Sequence, residues 1–237
     1  MSARIVLKRR GAQEGESPFW ISFADLMSAL MTLFLVVMMV TLIAVTKSVS
    51  IEEEGKIQRE TEVREIMSRI RDTSRVFPEV TVNESAFRID LGEIARFESG
   101  KHEISNVGAR FLRSYIPVLL QAQATQTGRR RIRHIVVEGF TDQDGTYLYN
   151  LDLSLNRSRS VLCVLFGKPG ADETPLSEQQ KRQIRDLFLV GGYSFNAARA
   201  KKEESRRVEL RLEFWAPNDA RAEIQLMENK DFGQCRQ

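Results

Sequence analysis

Hydrophobic and polar positions divide this chain into two unlike parts. Between Ser17 and Thr46 every position is uncharged except Asp25, and the run is long enough to cross a bilayer as one helix. Ser17 followed by Pro18 suits the start of that helix, with a hydroxyl to cap free amides and proline at the first helical position. Small residues recur at four-residue spacing in Ala24, Ser28 and Thr32, and Ala29 lies four after Asp25, so the Asp25 side permits close helix approach. Leu26, Leu33, Phe34 and Val37 make the other faces bulky. Apolar positions then thin out over 47–60 and return as Val63, Ile66, Met67 and Ile70, a helical spacing that stops before Pro78. The expectation is a short amphipathic helix leading off the span and able to pair with its copy; a solvated charged linker describes 47–60 equally well.

From about residue 80 the pattern alternates between strands and helices. Val82, Phe87, Ile89 and Leu91 predict a hairpin or two short strands with a turn at Asn83-Glu84. Helical spacing resumes after Ser105, a candidate cap, through Phe111, Leu112, Tyr115, Ile116, Leu119 and Leu120, with Pro117 a candidate kink. Ile132 to Phe140 reads as a strand and Leu151 to Phe166 as a helix. Ser177 with Gln180 forms a capping-box signature opening a helix to about Leu189. Val208, Leu210, Leu212 and Phe214 alternate with Glu209, Arg211 and Glu213 as a half-buried strand. The predicted fold class is a single N-terminal transmembrane helix plus an α+β domain, a mixed sheet with helices packed on one face. Its segments are a cytoplasmic N-terminal stretch (1–17), the span (18–46), a helical linker (47–79), the folded domain (80–216) and a tail (217–237).

Composition supports one folded domain beyond the span. Of 237 residues, 28% are charged and 42% hydrophobic, enough for an ordinary core and against wholesale disorder. The net charge of +3 is small and dispersed, so no direct nucleic-acid partner is implied. Arg4, Lys8, Arg9 and Arg10 precede the span and Glu52, Glu53 and Glu54 follow it, which places the N-terminus in the cytoplasm and the domain across the inner membrane, in the periplasm of a Gram-negative host. The apolar run exceeds a signal-peptide h-region, so an anchor is expected rather than a cleaved leader.

Asp25 is the feature that asks for chemistry. A charge at the centre of a membrane helix costs roughly 2.5–3.5 kcal/mol on insertion scales, so an ion-handling role is the default reading and a structural polar residue the alternative. The segment Trp20-Ile-Ser-Phe-Ala-Asp25-Leu-Met-Ser-Ala-Leu-Met31 closely resembles the membrane helix of MotB-type flagellar stator proteins. That resemblance implies that Asp25 translocates protons, that two copies form a homodimer, and that a polytopic MotA-like ring completes the pathway.

A second resemblance lies in Glu138-Gly-Phe-Thr-Asp142-Gln-Asp-Gly145 followed by Asn150-Leu-Asp-Leu153-Ser154-Leu-Asn-Arg157. With Phe97-Glu-Ser-Gly100 upstream and Arg206-Arg-Val-Glu209 downstream, it is similar to the OmpA-like peptidoglycan-binding domain over about residues 80–215. The resemblance implies that Asp142 accepts the ammonium of a diaminopimelate stem peptide and Arg157 forks onto its carboxylate, while Thr141, Asn150 and Leu153 shape the pocket. Phe140 departs from the family, which often has His there. On the residues alone, Asp142 also suits a turn cap and Arg157 a surface ion pair.

Other signals exclude more than they suggest. Asp142-Gln-Asp-Gly145 places glycine fourth where a calcium loop needs it sixth, and His102 and His134 lack ligating neighbours, so neither metal nor cofactor is expected. The absence of a phosphate-binding glycine loop argues against nucleotide hydrolysis, and no enzymatic activity is expected. Cys163 and Cys235 are compatible with a disulfide or with one buried and one free thiol. Residues 47–79 are short for a flagellar linker with its plug, which looks more like the ZorB proteins of Zorya anti-phage defence, paired with a ZorA-like ring. A flagellar stator subunit and a passive membrane-to-wall tether remain the alternatives.

Overall fold

The computed structural model describes residues 17–170, 173–216, 219 and 232–235, with side chains described from residue 23 onward. The basic N-terminal flank and most of the predicted tail lie outside the described residues. The chain divides into two compact units, one ending at Glu54 and the other beginning at Gly55.

In the first unit, helix α1 begins at Ser17, and it remains helical to Ser74 in the second. Every described side chain from Phe23 to Glu54 is exposed. Its best 18-residue window has a mean hydropathy of 2.6, so it is long and apolar enough to cross a membrane. Ser28 Oγ donates to the Asp25 carbonyl at 2.9 Å and Thr32 Oγ1 to that of Ala29 at 2.9 Å, so these hydroxyls are satisfied within their own helix.

Among the described residues, the second unit holds five strands, β1 (Thr81–Asn83), β2 (Arg88–Asp90), β3 (Ile132–Gly139), β4 (Phe188–Gly192) and β5 (Val208–Phe214). They form one mixed sheet in the order β1-β2-β5-β3-β4, antiparallel except for β3 with β4. One face carries Ile89, Ile135, Val137, Leu210 and Leu212 into a core shared with α2 (Asn106–Ala124), α4 (Tyr147–Phe166) and α5 (Glu178–Leu187). The other face is a lattice of ion pairs. Glu138, wholly buried, is held by Arg88 and Arg211 at 2.5 Å each, and Glu209 by Arg88 at 2.9 Å and Arg207 at 2.6 Å. Period-two alternation thus separates an apolar face from a charge-compensated one.

Two predicted caps are present, and the side chain of the third, Ser17, lies outside the described residues. Ser105 accepts from Gly108 N, and Ser177 with Gln180 closes a reciprocal capping box. Pro117 sits inside a helix that continues to Ala124. Two elements differ from expectation. The helix drawn to Leu189 ends at Leu187, and Phe188–Gly192 is the edge strand β4, because a five-residue apolar run does not declare its period. Val63, Ile66, Met67 and Ile70 are buried, and the last three belong to the sheet-and-helix core, so this face is occupied within the chain rather than left for a second copy. Ser74 Oγ and Tyr115 Oη are 2.9 Å apart, and Glu62 pairs with Arg130 and Arg131 of α3 (Gln126–Arg131), which ties 55–74 into the domain. Burial pushes the Glu62 carboxyl up, but the hydrogen bond and charge of Arg131 and the charge of Arg130 outweigh it and hold it below its ordinary value.

Cys163 and Cys235 form a disulfide, with Cα atoms 5.7 Å apart, that pins the chain end to α4. Phe232 stacks on Phe166 with ring centroids 5.0 Å apart.

Candidate functional site

The domain's candidate site forms where β3 ends against the start of α4. A Cβ at Gly139 would stand 1.9 Å from the Ser154 carbonyl oxygen, so only glycine lets the strand end lie this close to the helix. The next residues are tied by main chain on both sides, Phe140 N donating to Arg207 O at 3.0 Å and Thr141 N to Ser194 O at 3.0 Å. This fixes where Asp142 leaves the sheet. Its Oδ1 accepts from Asp144 N at 3.2 Å, the turn-capping role open to a short carboxylate, and Gly145 completes the turn at φ 97. Thr146 caps α4, and Asn150 Nδ2 donates back to Asp144 O at 2.8 Å.

The structure brings Asp142, Thr141, Asn150 and Arg157 together around this turn, with Leu153 buried one turn along α4. Arg157 is wholly buried and its guanidinium is directed at main chain. Nε donates to Lys101 O at 2.9 Å, Nη1 to Phe140 O at 2.8 Å and Nη2 to Glu98 O at 3.1 Å, with Phe97 packed beneath at 5.0 Å. The fork expected to face a ligand therefore joins the 98–101 loop to the end of β3. Burial pushes the guanidinium down to about 10 while Asp142 opposes the shift, so it is still charged at neutral pH.

Sequence reasoning missed the partner of Asp142. Arg206 Nη1 lies 3.0 Å from Asp142 Oδ2, and its Nε donates to Phe97 O at 3.1 Å. The Arg206-Arg-Val-Glu209 landmark was visible, but nothing in its spacing says which acid it meets across the sheet. At the rim, Lys202 Nζ holds both oxygens of Asp144 at 2.7 and 2.8 Å. Two polar atoms stand out by contrast: Thr141 Oγ1 and Asn150 Oδ1 are buried with no hydrogen-bond partner among the described residues. Phe140 is buried between Tyr193, 5.4 Å away, and the Arg207 guanidinium at 4.3 Å.

The other candidate is Asp25, exposed on α1 among Phe23, Leu26, Met27 and Leu30. Among the described residues no side chain bonds its carboxylate.

Comparison with known proteins joins the two sites. Residues 7–53, which include Asp25, match a family model described as the membrane MotB of the proton-channel complex MotA/MotB. The Zorya protein ZorB of Escherichia coli O139:H28 (strain E24377A / ETEC) is 42% identical over 216 residues, covering 91% of this chain and 88% of that protein. The chain belongs to the ZorB family. Solved structures resembling this ZorB-family chain include the periplasmic domain of MotB, at 19% identity and TM-score 0.39, covering 55% of this chain and 65% of that one, a little under two thirds of its length. Another is the cell wall anchor of the T6SS from Pseudomonas aeruginosa, at 18% identity and TM-score 0.39, covering 62% and 96%. The ZorB-family chain thus combines a segment matched by a MotB membrane family model with an α+β domain.

Proposed function

We propose that this chain is the wall-anchored, ion-carrying subunit of a membrane motor used in anti-phage defence. The observation that supports it most is the 42% identity to ZorB across 91% of the chain, together with the MotB-type match over the segment that holds Asp25. In this reading the N-terminus is cytoplasmic and the 55–216 domain periplasmic. Two copies sit in a ring of polytopic MotA-like or ZorA-like subunits, and the exposed apolar residues around Asp25 meet that ring.

The carboxyl cannot remain charged in hydrocarbon without a partner or water, so it takes up a proton from one side, loses its charge, and lets the neighbouring helices shift before the proton leaves to the cytoplasm. Each elementary charge crossing the membrane releases roughly 2.3 kcal/mol per 100 mV. The Asp142 site, with Thr141, Asn150, Leu153 and Arg157, binds the diaminopimelate stem of peptidoglycan and holds the subunit still, so that work done at Asp25 moves the ring. The chain has no catalytic role of its own.

The test is Asp25→Asn in the intact operon at equal membrane expression, scored for phage resistance and for motility. Loss of resistance alone is expected. Loss of motility would instead assign the chain to a flagellar stator, and full activity in both assays would leave a passive tether.

A further inference from the structure

We propose that a basic corner of the domain, formed by Arg129, Arg130 and Arg133 around Trp215, seats the domain on anionic phospholipid headgroups. This rests on reading residues 18–46 as a membrane span. The corner lies where α3 ends, β3 starts and β5 finishes. Arg59 Nε of α1 donates to Trp215 O at 2.7 Å, Trp215 N donates to Arg131 O at 2.8 Å, and the Arg133 guanidinium stands 4.8 Å from the Trp215 ring centre. Glu62 answers part of this charge by pairing with Arg130 and Arg131. Arg129 and Arg133 are exposed, and Arg130 keeps 41% of its side-chain surface. Guanidinium groups take phosphate oxygens through paired N–H donors, and a half-buried indole beside them suits the boundary between headgroups and hydrocarbon.

Position selects a lipid surface as the partner. The eight residues of β3 lead from this corner to the Asp142 turn, about 26 Å at roughly 3.3 Å per residue, so the corner is the end of the domain away from that turn. It is also the end at which α1 delivers the chain, through Arg59 and Glu62. The helix from Thr46, where the uncharged run stops, to Arg59 is about 20 Å long. Headgroups fill roughly 5–8 Å of such a length, and the remainder is of the order of the Debye length at physiological salt, about 8 Å. Glu52, Glu53 and Glu54 lie on this connecting stretch and precede the corner in the chain. A domain that merely hangs from the span is repelled by an anionic surface through these glutamates, whereas a seated one is drawn to it, so the two cases differ in sign.

The test uses the full chain carrying Trp20→Phe, which leaves Trp215 as its single tryptophan. It is reconstituted in phosphatidylcholine vesicles with and without phosphatidylglycerol, both containing a headgroup nitroxide that quenches nearby indoles. Quenching of Trp215 is expected to be at least twofold stronger in the anionic vesicles. Half-molar potassium chloride should return it to the zwitterionic level, and so should Arg129→Gln combined with Arg133→Gln. Equal or weaker quenching in the anionic vesicles overturns the proposal, as does quenching that survives salt or persists in the folded double variant. Should the double variant lose its near-ultraviolet dichroism, the salt response of the parent chain decides. Shielding of Trp215 from acrylamide only when a polytopic ring subunit is co-reconstituted would give the corner to a protein surface and overturn the lipid assignment. A chain that does not float with the vesicles at all overturns the span reading, and the proposal with it.

Discussion

Asp25 and Asp142 are the same side chain in opposite circumstances. Asp142 is buried and answered within its own unit by Arg206 and the Asp144 amide. Asp25 stands exposed among apolar residues, and no described side chain answers it. The same contrast holds for the apolar residues: Ile66, Met67 and Ile70 are spent inside a core, whereas Leu26, Leu30, Leu33 and Phe34 are all exposed. The lesson is that the domain is complete as it stands and the membrane helix is not. A long exposed apolar surface around a lone acid is stable only in lipid or against other helices.

The comparison can be broken or sharpened by substitution. The largest effect is expected at Gly139→Ala. A methyl group 1.9 Å from the Ser154 carbonyl oxygen forces α4 away from β3, and the domain should lose its cooperative near-ultraviolet dichroism transition altogether. A normal melting curve would show that the strand end is not so tightly seated. Next comes a matched pair. Ile70→Ala, at a core position, should destabilise the domain by about 2–5 kcal/mol in urea titration, whereas Leu30→Ala on the exposed helix should leave it unchanged. Equal effects would erase the contrast between the two units.

Cys163→Ser follows. The disulfide closes a sequence separation of 72, and its removal should lower stability by about 2–4 kcal/mol, measured as a shift in the denaturant midpoint. An unchanged midpoint would mean that the pinned chain end adds nothing to the fold. The smallest effect is electrostatic. Because the Glu62 carboxyl is held below its ordinary value of 4.5, its contribution is present above that pH and lost as pH falls through the lower folded value. Glu62→Gln should lower stability at neutral pH by about 1 kcal/mol and flatten the acid limb of the pH–stability curve. A curve parallel to wild type would place the acid sensitivity elsewhere.

Much of the fold was legible because its signals are local. Caps at Ser105 and Ser177 are dictated by orphan amides within one turn, and the alternation of Val208 to Phe214 by the pleat of a single strand. β4 was not legible, since Phe-Leu-Val-Gly-Gly has strand character only when β3 lies beside it. The same limit explains the site. Asp142, Thr141, Asn150 and Arg157 fall within a few turns of one another in the chain and could be named from their motif, although the motif did not reveal that the Arg157 fork faces carbonyls.

By itself, then, the sequence determined that there is one apolar helix with one acid in it, followed by an α+β domain with a charged turn at the end of a central strand. Helix length, period and capping depend only on neighbours along the chain. The tertiary structure decided that 55–74 belongs to the domain core, that Cys163 bonds Cys235, and that Arg206 is the base facing Asp142. Each of these joins residues far apart in sequence, and it is the register of β5 against β3, pairing Val208 with Gly139, that sets Arg206 beside Asp142.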